Sequence, residues 1–395
     1  MNYSFSNRIA ALQPSIIREI LKASSGQNVI PFSAGNPAPE TFPIEAIRTF
    51  TQSILEQDPV TALQYGITEG YAPLRDTLTH HLKTNYNTGT ASDELFIVSG
   101  AQQGIELACK VFCNEGDTII CESPSFIGSL NSFRASGARL VGVPMESDGM
   151  DIGKLELALQ TEQNVKLIYL ITSFQNPTGV TTSLEKRKAI YALAKQYGVM
   201  ILEDNPYGEL RFSGEDVPTI KSMDEEGLVI YVGSFSKILS AGLRVGYVLA
   251  PNEVVQKMVV AKQGEDVHTA MLPQILAYKF MAEYQYAEHI SSIREIYRRK
   301  SALMMDKLKE HMGNSITFTQ PDGGLFLWCD LPAHIPMLGY AKAAAASGVA
   351  VVPGTAFLVD ESEPCNAIRL NFSTPSDEQI VKGIEILGQV LKQYS

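Results

Sequence analysis

The sequence predicts an α/β protein: a large domain built on a mostly parallel, seven-stranded sheet, with a smaller, discontinuous α+β domain. Two patterns predict this. From about residue 92 to residue 250, seven short apolar runs are separated by turn and helix signals, the strand–helix–strand order of a crossover-connected sheet. After residue 280 the composition shifts to one long charged helix followed by short strands and helices. The expected division is an N-terminal segment, 1–45, joining the small domain; a large ligand-binding domain, 46–285; and the small domain, 286–395.

The elements follow in chain order. SIIREILKA (15–23) has apolar positions at helical spacing. Residues 30–43 are punctuated by Gly35, Pro37, Pro39 and Pro43 and read as a non-repetitive crossing strip. LFIVSG (95–100) is a strand that leads into the helix AQQGIELACKVF. DTIICES (117–123), RLVGVPM (139–145), VKLIYLI (165–171), VMILED (199–204), LVIYVGS (228–234) and RVGYVLA (244–250) are the other six strands. Several lack alternation, as strands covered on both faces do. SLEKRKAIYALAKQYG (183–198) is a helix with Ser183 as N-cap and Gly198 as its stop. Residues 287–312 form a long amphipathic helix. Strands ITFTQ and GLFLWCD, a helix AKAAAAS, strands VAVVPG and AIRLNFS, and a last helix from Ser376 complete the chain.

Composition narrows the function. With 45% hydrophobic and 19% charged residues, the 395-residue chain has material for a sizeable core, which excludes wholesale disorder. A net charge of −11 argues against nucleic acid or an anionic membrane as the main partner. No apolar run reaches the roughly 18 residues a membrane span needs, and the N-terminus lacks the pattern of a secretory signal. Five scattered cysteines suggest free thiols in a reducing, cytoplasmic compartment. Cys109 and Cys113 are four apart, but no histidine joins them, and the six histidines show no ligand spacing. No metal site is expected.

In open α/β sheets ligands bind beyond the carboxyl ends of the strands, so the polar residues just past each strand matter. They are Ser99-Gly100-Ala101-Gln102, Asn176-Pro177-Thr178-Gly179, Asp204 with Tyr207, and Ser234-Phe235-Ser236-Lys237, with Arg244 seven residues on. Each has a job if the ligand is a pyridine aldehyde phosphate. Gly100, Ala101 and Gln102 open a helix whose free N–H groups suit a phosphate. Ser234, Ser236 and Arg244 add donors for the same dianion. Asp204 would hold the pyridine nitrogen protonated, Asn176 and Tyr207 would bond a ring phenolate oxygen, and Lys237 would supply the amine for a Schiff base. Alone, each has a plainer reading: Asp204 as a helix cap, Lys237 as a solvated charge, Arg244 as a surface ion pair, the Ser99–Ala101 stretch as an ordinary turn. Joint occurrence on one sheet edge favours the chemical reading.

These blocks carry a resemblance. SFSKILSAGLRVGY (234–247) resembles the lysine-bearing motif of the class I/II, fold type I, pyridoxal phosphate-dependent aminotransferases. SGAQQG, NPTG, DNPY, PDGGLFLW, IRLNFS and QYGITEGYAPLR match that family's other blocks, in its order, across nearly the whole chain. The N-terminal stretch PSIIREILK…IPFSAGNP looks most like the 2-aminoadipate and kynurenine type, of broad substrate range. The resemblance implies pyridoxal 5′-phosphate as cofactor, with Lys237 as its lysine and as the base for the proton shift. Asp204 and Tyr207 would join Lys237 in catalysis. It implies that Phe126 stacks on the pyridine ring, and that Arg369 clamps the substrate carboxylate with help from Asn176 and the Gly35 backbone. It further implies a homodimer in which Tyr65 reaches the cofactor phosphate of the partner.

Substrate choice is expected to lie in the first helix. Ser15 and Arg18 share one face there, and the resemblance implies that this helix caps the pocket and that Arg18 reads a distal carboxylate of glutamate or 2-aminoadipate; Tyr71, in the partner-derived segment, would line the same pocket. The expected reaction moves an amino group from an L-amino acid to a 2-oxo acid such as 2-oxoglutarate. The alternatives are a lyase or decarboxylase on the same fold, or an aminotransferase-like amino-acid sensor. The sensor is disfavoured because Gly35 and Tyr65 come too early to leave room for a DNA-binding domain.

Overall fold

A computed structural model describes residues 3–10 and 29–394. All seven expected strands form: β1 (Asp93–Val98), β2 (Thr118–Ser123), β3 (Arg139–Glu146), β5 (Val165–Leu170), β6 (Met200–Asp204), β7 (Val229–Ser234) and β8 (Gly246–Pro251). A two-residue strand, β4 (Gly149–Met150), adds an eighth as a hairpin on β3. The order across the sheet is β1-β8-β7-β6-β5-β2-β3-β4. Strands β3, β2, β5, β6 and β7 run parallel, while β8 is antiparallel to both β7 and β1. Strand order reverses at β2, which has β3 on one side and β5 on the other, so the crevice favoured for ligands lies at the carboxyl ends near the middle of the sheet. The helix Ala101–Phe112 leaves β1 at one edge, starts beside Gly246 of β8, and packs across β8, β7, β6 and β5. Burial on both faces explains the non-alternating runs: Leu167, Ile168, Tyr169 and Leu170 of β5 are all buried.

The second sheet is antiparallel, with order β11-β12-β10-β9: Val352–Pro353, Ala367–Asn371, Phe326–Asp330 and Thr317–Phe318. The helices Tyr286–Met312 and Asp377–Leu391 pack on each other beside it. Local chemistry sets the helix ends as the sequence suggests. Ser376 forms a capping box with Gln379, Ser183 caps through the Lys186 N–H, and Gly198 closes its helix at φ 65°.

The strip after residue 29 is fastened to the small sheet and its helices. Ile30 bridges to Val349, the Asn371 N–H donates to the Phe32 carbonyl at 2.9 Å, and the Ala38 N–H donates to the Tyr297 hydroxyl at 3.1 Å. The expected helix at 15–23, with Ser15 and Arg18, lies outside the described residues. Among the described residues no helix is long and apolar enough to cross a membrane, and no group of three or more His, Cys, Asp or Glu is placed to hold a metal ion.

Candidate active site

The carboxyl ends of the large-sheet strands face the 31–36 strip and β12 across a cavity of about 580 Å³. Asp204 enters it as the last residue of β6, Tyr207 from the turn that follows, and Lys237 from three residues beyond β7. Asn176 arrives from the loop after β5, and Arg369 from β12 of the small sheet. Five chemically distinct side chains therefore converge from four separate stretches of chain.

Their electrostatics are unusual. Lys237 Nζ donates to the Gly35 carbonyl at 2.7 Å and has no carboxylate partner among the described residues. Burial, then the Arg369 and Arg244 charges, pull the amine down to about 8 against the opposing pull of Asp204. Asp204 is 2% exposed; burial pushes its carboxyl up to about 7, and a Tyr169 hydrogen bond and the Lys237 charge only partly offset this. Tyr169 donates to Asp204 Oδ2 at 3.0 Å, and Asp204 Oδ1 has no partner among the described residues. A buried carboxylate oxygen without a donor costs free energy unless a ligand supplies one. Arg369 is held flat by the Asn176 Oδ1 (3.0 Å) and the carbonyls of Ser33 (2.7 Å) and Ala34 (2.9 Å), with its guanidinium 4.3 Å from the Phe326 ring centre. Its Nε is buried and unpartnered among the described residues. Asn176 donates to the Tyr207 hydroxyl at 3.5 Å, and burial pushes that phenol up.

At the cavity's other end, Ala101 and Gln102 open the helix after β1, where leading N–H groups lack intrahelical partners. Two glycines let the backbone close up here. Gly100 sits at φ 82°, and a Cβ on it would lie 2.1 Å from Arg244 Nη2; a Cβ on Gly246 would lie 2.7 Å from the Ala101 nitrogen. Arg244, itself at φ 54°, donates to the Ser99 and Ala241 carbonyls, and Ser234 Oγ donates to Ser236 Oγ at 2.9 Å. Helix start, hydroxyls and guanidinium form a cup for an anion. Phe126 forms part of the wall beside Gln102.

The model of the family "Aminotransferase class I and II" matches residues 27–387. This chain belongs to that family. It is 40% identical to aromatic-amino-acid aminotransferase 1 of Thermococcus litoralis over 98% of its own length and 94% of that protein's. The crystal structure of Pyrococcus horikoshii kynurenine aminotransferase, in complex with PMP and with KYN and KYA as substrate and product, superposes with TM-score 0.95 at 36% identity, covering 98% of this chain and 97% of that one. That of the α-aminoadipate aminotransferase of Thermus thermophilus, complexed with N-(5′-phosphopyridoxyl)-L-leucine, gives 0.90 at 36% identity, covering 99% and 97%. The protein is an aminotransferase, of fold type I, that uses pyridoxal 5′-phosphate.

The residues present fit that cofactor. The partnerless Asp204 Oδ1 suits a pyridinium N–H, and the Ala101–Gln102 helix start with Ser234, Ser236 and Arg244 suits its phosphate. Gly35, Phe126, Asn176, Asp204, Tyr207, Lys237 and Arg369 share the one cavity. Tyr71 and Tyr65, both expected to serve a partner's site, lie outside the cavity of their own chain. Tyr71 immediately precedes the helix Ala72–Tyr86, and its ring packs edge-on to Tyr278 at 5.8 Å. Tyr65 is 81% exposed, edge-on to His268 and away from the same cavity. Ser99 turns its hydroxyl to Asp266 at 2.7 Å and so braces the anion cup from behind. The sequence reading missed Tyr169 and Ser129, which lie behind Asp204, and Glu122, a fully buried carboxyl on β2 that burial pushes up to about 8.

Proposed function

We propose that this aminotransferase moves the amino group of an L-amino acid with an aromatic, aliphatic or 2-aminoadipate-like side chain to a 2-oxo acid, with 2-oxoglutarate as acceptor. The observation that carries the reading is Arg369 beside Lys237: a carboxylate clamp and a proton-transfer amine in one cavity. Pyridoxal phosphate, when bound, supplies the electron sink that stabilises a carbanion at the substrate Cα. The chain supplies position and protons. Arg369 and Asn176 orient the substrate carboxylate, aided by the Gly35 backbone. Lys237, drawn down to about 8, is neutral often enough at ordinary pH to take the Cα proton and hand it on. Asp204 holds a ring N–H, Asn176 and Tyr207 hold a ring oxygen, and Phe126 covers the ring face. Gly100, Ala101, Gln102, Ser234, Ser236 and Arg244 hold the phosphate.

Apolar lining from Pro31, Ala34 and Ile127, together with the substrates in the names of the relatives, supports the aromatic and aliphatic reading. For acidic donors the reading rests on Arg18 and Ser15. The same proposal includes a cytoplasmic homodimer whose Tyr65 completes the partner's phosphate site, with Tyr71 near it. Support comes from the exposed apolar residues Val60, Leu63, Tyr65 and Ile67, which together want cover. The test is a panel of amino donors with 2-oxoglutarate, following keto-acid release. Formation of glutamate from aromatic donors is expected, and no transfer from any donor overturns the proposal. Arg18→Ala should lower kcat/KM for 2-aminoadipate or glutamate about 10- to 150-fold, by loss of a charged hydrogen bond, and spare leucine.

A further inference from the structure

We propose that Tyr169 is a positioning residue for Asp204: its hydroxyl, fixed by Ser129, keeps the carboxylate charged and leaves one carboxylate oxygen to the ligand. The sheet register explains the reach. Tyr169 on β5 pairs with Leu202 on β6, and Asp204, two residues on, shares that face. The ring is fully buried and clamped edge-on by Phe133 at 5.3 Å. Ser129, on the helix Ile127–Ala135, donates its hydroxyl proton to the Tyr169 oxygen at 2.8 Å. The tyrosine has one proton of its own, and it goes to Asp204 Oδ2 at 3.0 Å. An ionised carboxylate only accepts, so the chain Ser129–Tyr169–Asp204 is self-consistent with Asp204 charged. Because Oδ2 is engaged from behind, Oδ1 is left without a partner among the described residues.

The titratable groups around Asp204 are Lys237 beyond β7, Tyr207 in the following turn, Glu122 on β2 and Tyr169 itself. Lys237 favours the charged carboxylate. Glu122 disfavours it, but burial holds Glu122 protonated to about pH 8, with its Oε2 bonded by the Ile171 N–H and Gln175. Tyr169 is therefore the one hydrogen-bond donor to Asp204 among the described residues.

The inference rests on the reading that Asp204 holds the cofactor's ring nitrogen, and the experiment separates the two. Apoenzyme of the wild type and of Tyr169→Phe, Ser129→Ala and Asp204→Asn is titrated with pyridoxal phosphate from pH 5 to 9, and the melting temperature of each apo form is recorded. Tyr169→Phe keeps the ring and its packing but loses the donor. It should bind cofactor about 10- to 100-fold more weakly at neutral pH, the loss expected for one charge-assisted hydrogen bond. The pH at which affinity is half lost on the acid side should rise, since the charged form of Asp204 has lost a donor. Ser129→Ala should move both readouts in the same direction by less, and it decides the question alone if Tyr169→Phe does not fold. Wild-type affinity and midpoint in the folded variants, with Asp204→Asn weakened, would overturn the role of Tyr169. An Asp204→Asn protein that binds as well as wild type would instead overturn the reading of Asp204. A lowered melting temperature with unmoved midpoints would make Tyr169 a core residue and nothing more.

Discussion

Glu203 and Asp204 are neighbours on β6, and both are buried, but they face opposite sides of the sheet and live in opposite circumstances. Glu203 accepts from the Thr172 hydroxyl (2.8 Å) and from the N–H groups of Ile220 (3.0 Å) and Lys221 (2.9 Å). Asp204 accepts from one phenol. The lysines differ in the same way. Lys221 is enclosed by Asp93 at 2.7 Å and Asp224 at 2.9 Å, whereas Lys237 meets a single backbone carbonyl. Burial is common to both sides and so does not mark the site. What marks it is incomplete satisfaction: Glu203 and Lys221 are matched by the protein, whereas Asp204 and Lys237 leave positions for a ligand.

The largest contrast comes from removing each lysine. Lys237→Ala should cut transamination by at least about 10³-fold, because both nucleophile and base are lost, while the urea midpoint stays near wild type. A variant that turned over at wild-type rate would break the contrast at its centre. Lys221→Met should do the reverse. It strands two carboxylates whose side chains are 2% and 1% exposed, and should cost about 3–5 kcal/mol of stability with kcat per folded molecule unchanged. Urea unfolding beside active-site titration reads both quantities. Asp204→Ala follows, with a fall in kcat of about 10²–10³-fold for loss of a preorganised electrostatic partner. Near-normal kcat at full cofactor occupancy would show that the unpartnered oxygen has no ligand to meet.

The legible and illegible parts of this site divide along the same physical line. Asp204, Asn176 and Lys237 stand just past apolar runs, and crossover handedness sends those ends to one edge, so local sequence suffices to list them. Tyr169 is as close to the chemistry, yet VKLIYL reads as an ordinary buried strand. Its role depends on the pairing of Tyr169 with Leu202, a register set by the whole sheet. Glu122 was hidden likewise in DTIICES. Strand direction was equally illegible: RVGYVLA announces a strand, but nothing in it says that β8 runs against its neighbours.

The smallest effect tests whether Asp204 is under-satisfied in the protein alone. Burial raises its carboxyl to about 7, above the ordinary value near 4. Between those values the native apoenzyme holds a proton that the unfolded chain has released. The native state thus binds more protons, and stability falls as pH rises through that window, levelling off above about 7. Asp204→Asn removes this contribution. The apo variant should gain on wild type as pH goes from 5 to 8, by about 1–3 kcal/mol, the usual cost of an unsatisfied buried polar group. Glu122, raised to about 8 by burial and in part by the Asp204 charge, adds a decline of the same sign; that decline eases in Asp204→Asn and so adds to the variant's gain. Glu203→Gln should lose stability, since the Glu203 oxygens already accept from three donors. Saturating pyridoxal phosphate should erase the advantage of Asp204→Asn, because the wild-type carboxylate then has its partner. Equal pH dependence in wild type and Asp204→Asn apoenzyme would mean that Asp204 is satisfied without the ligand, and the two faces of β6 would no longer differ.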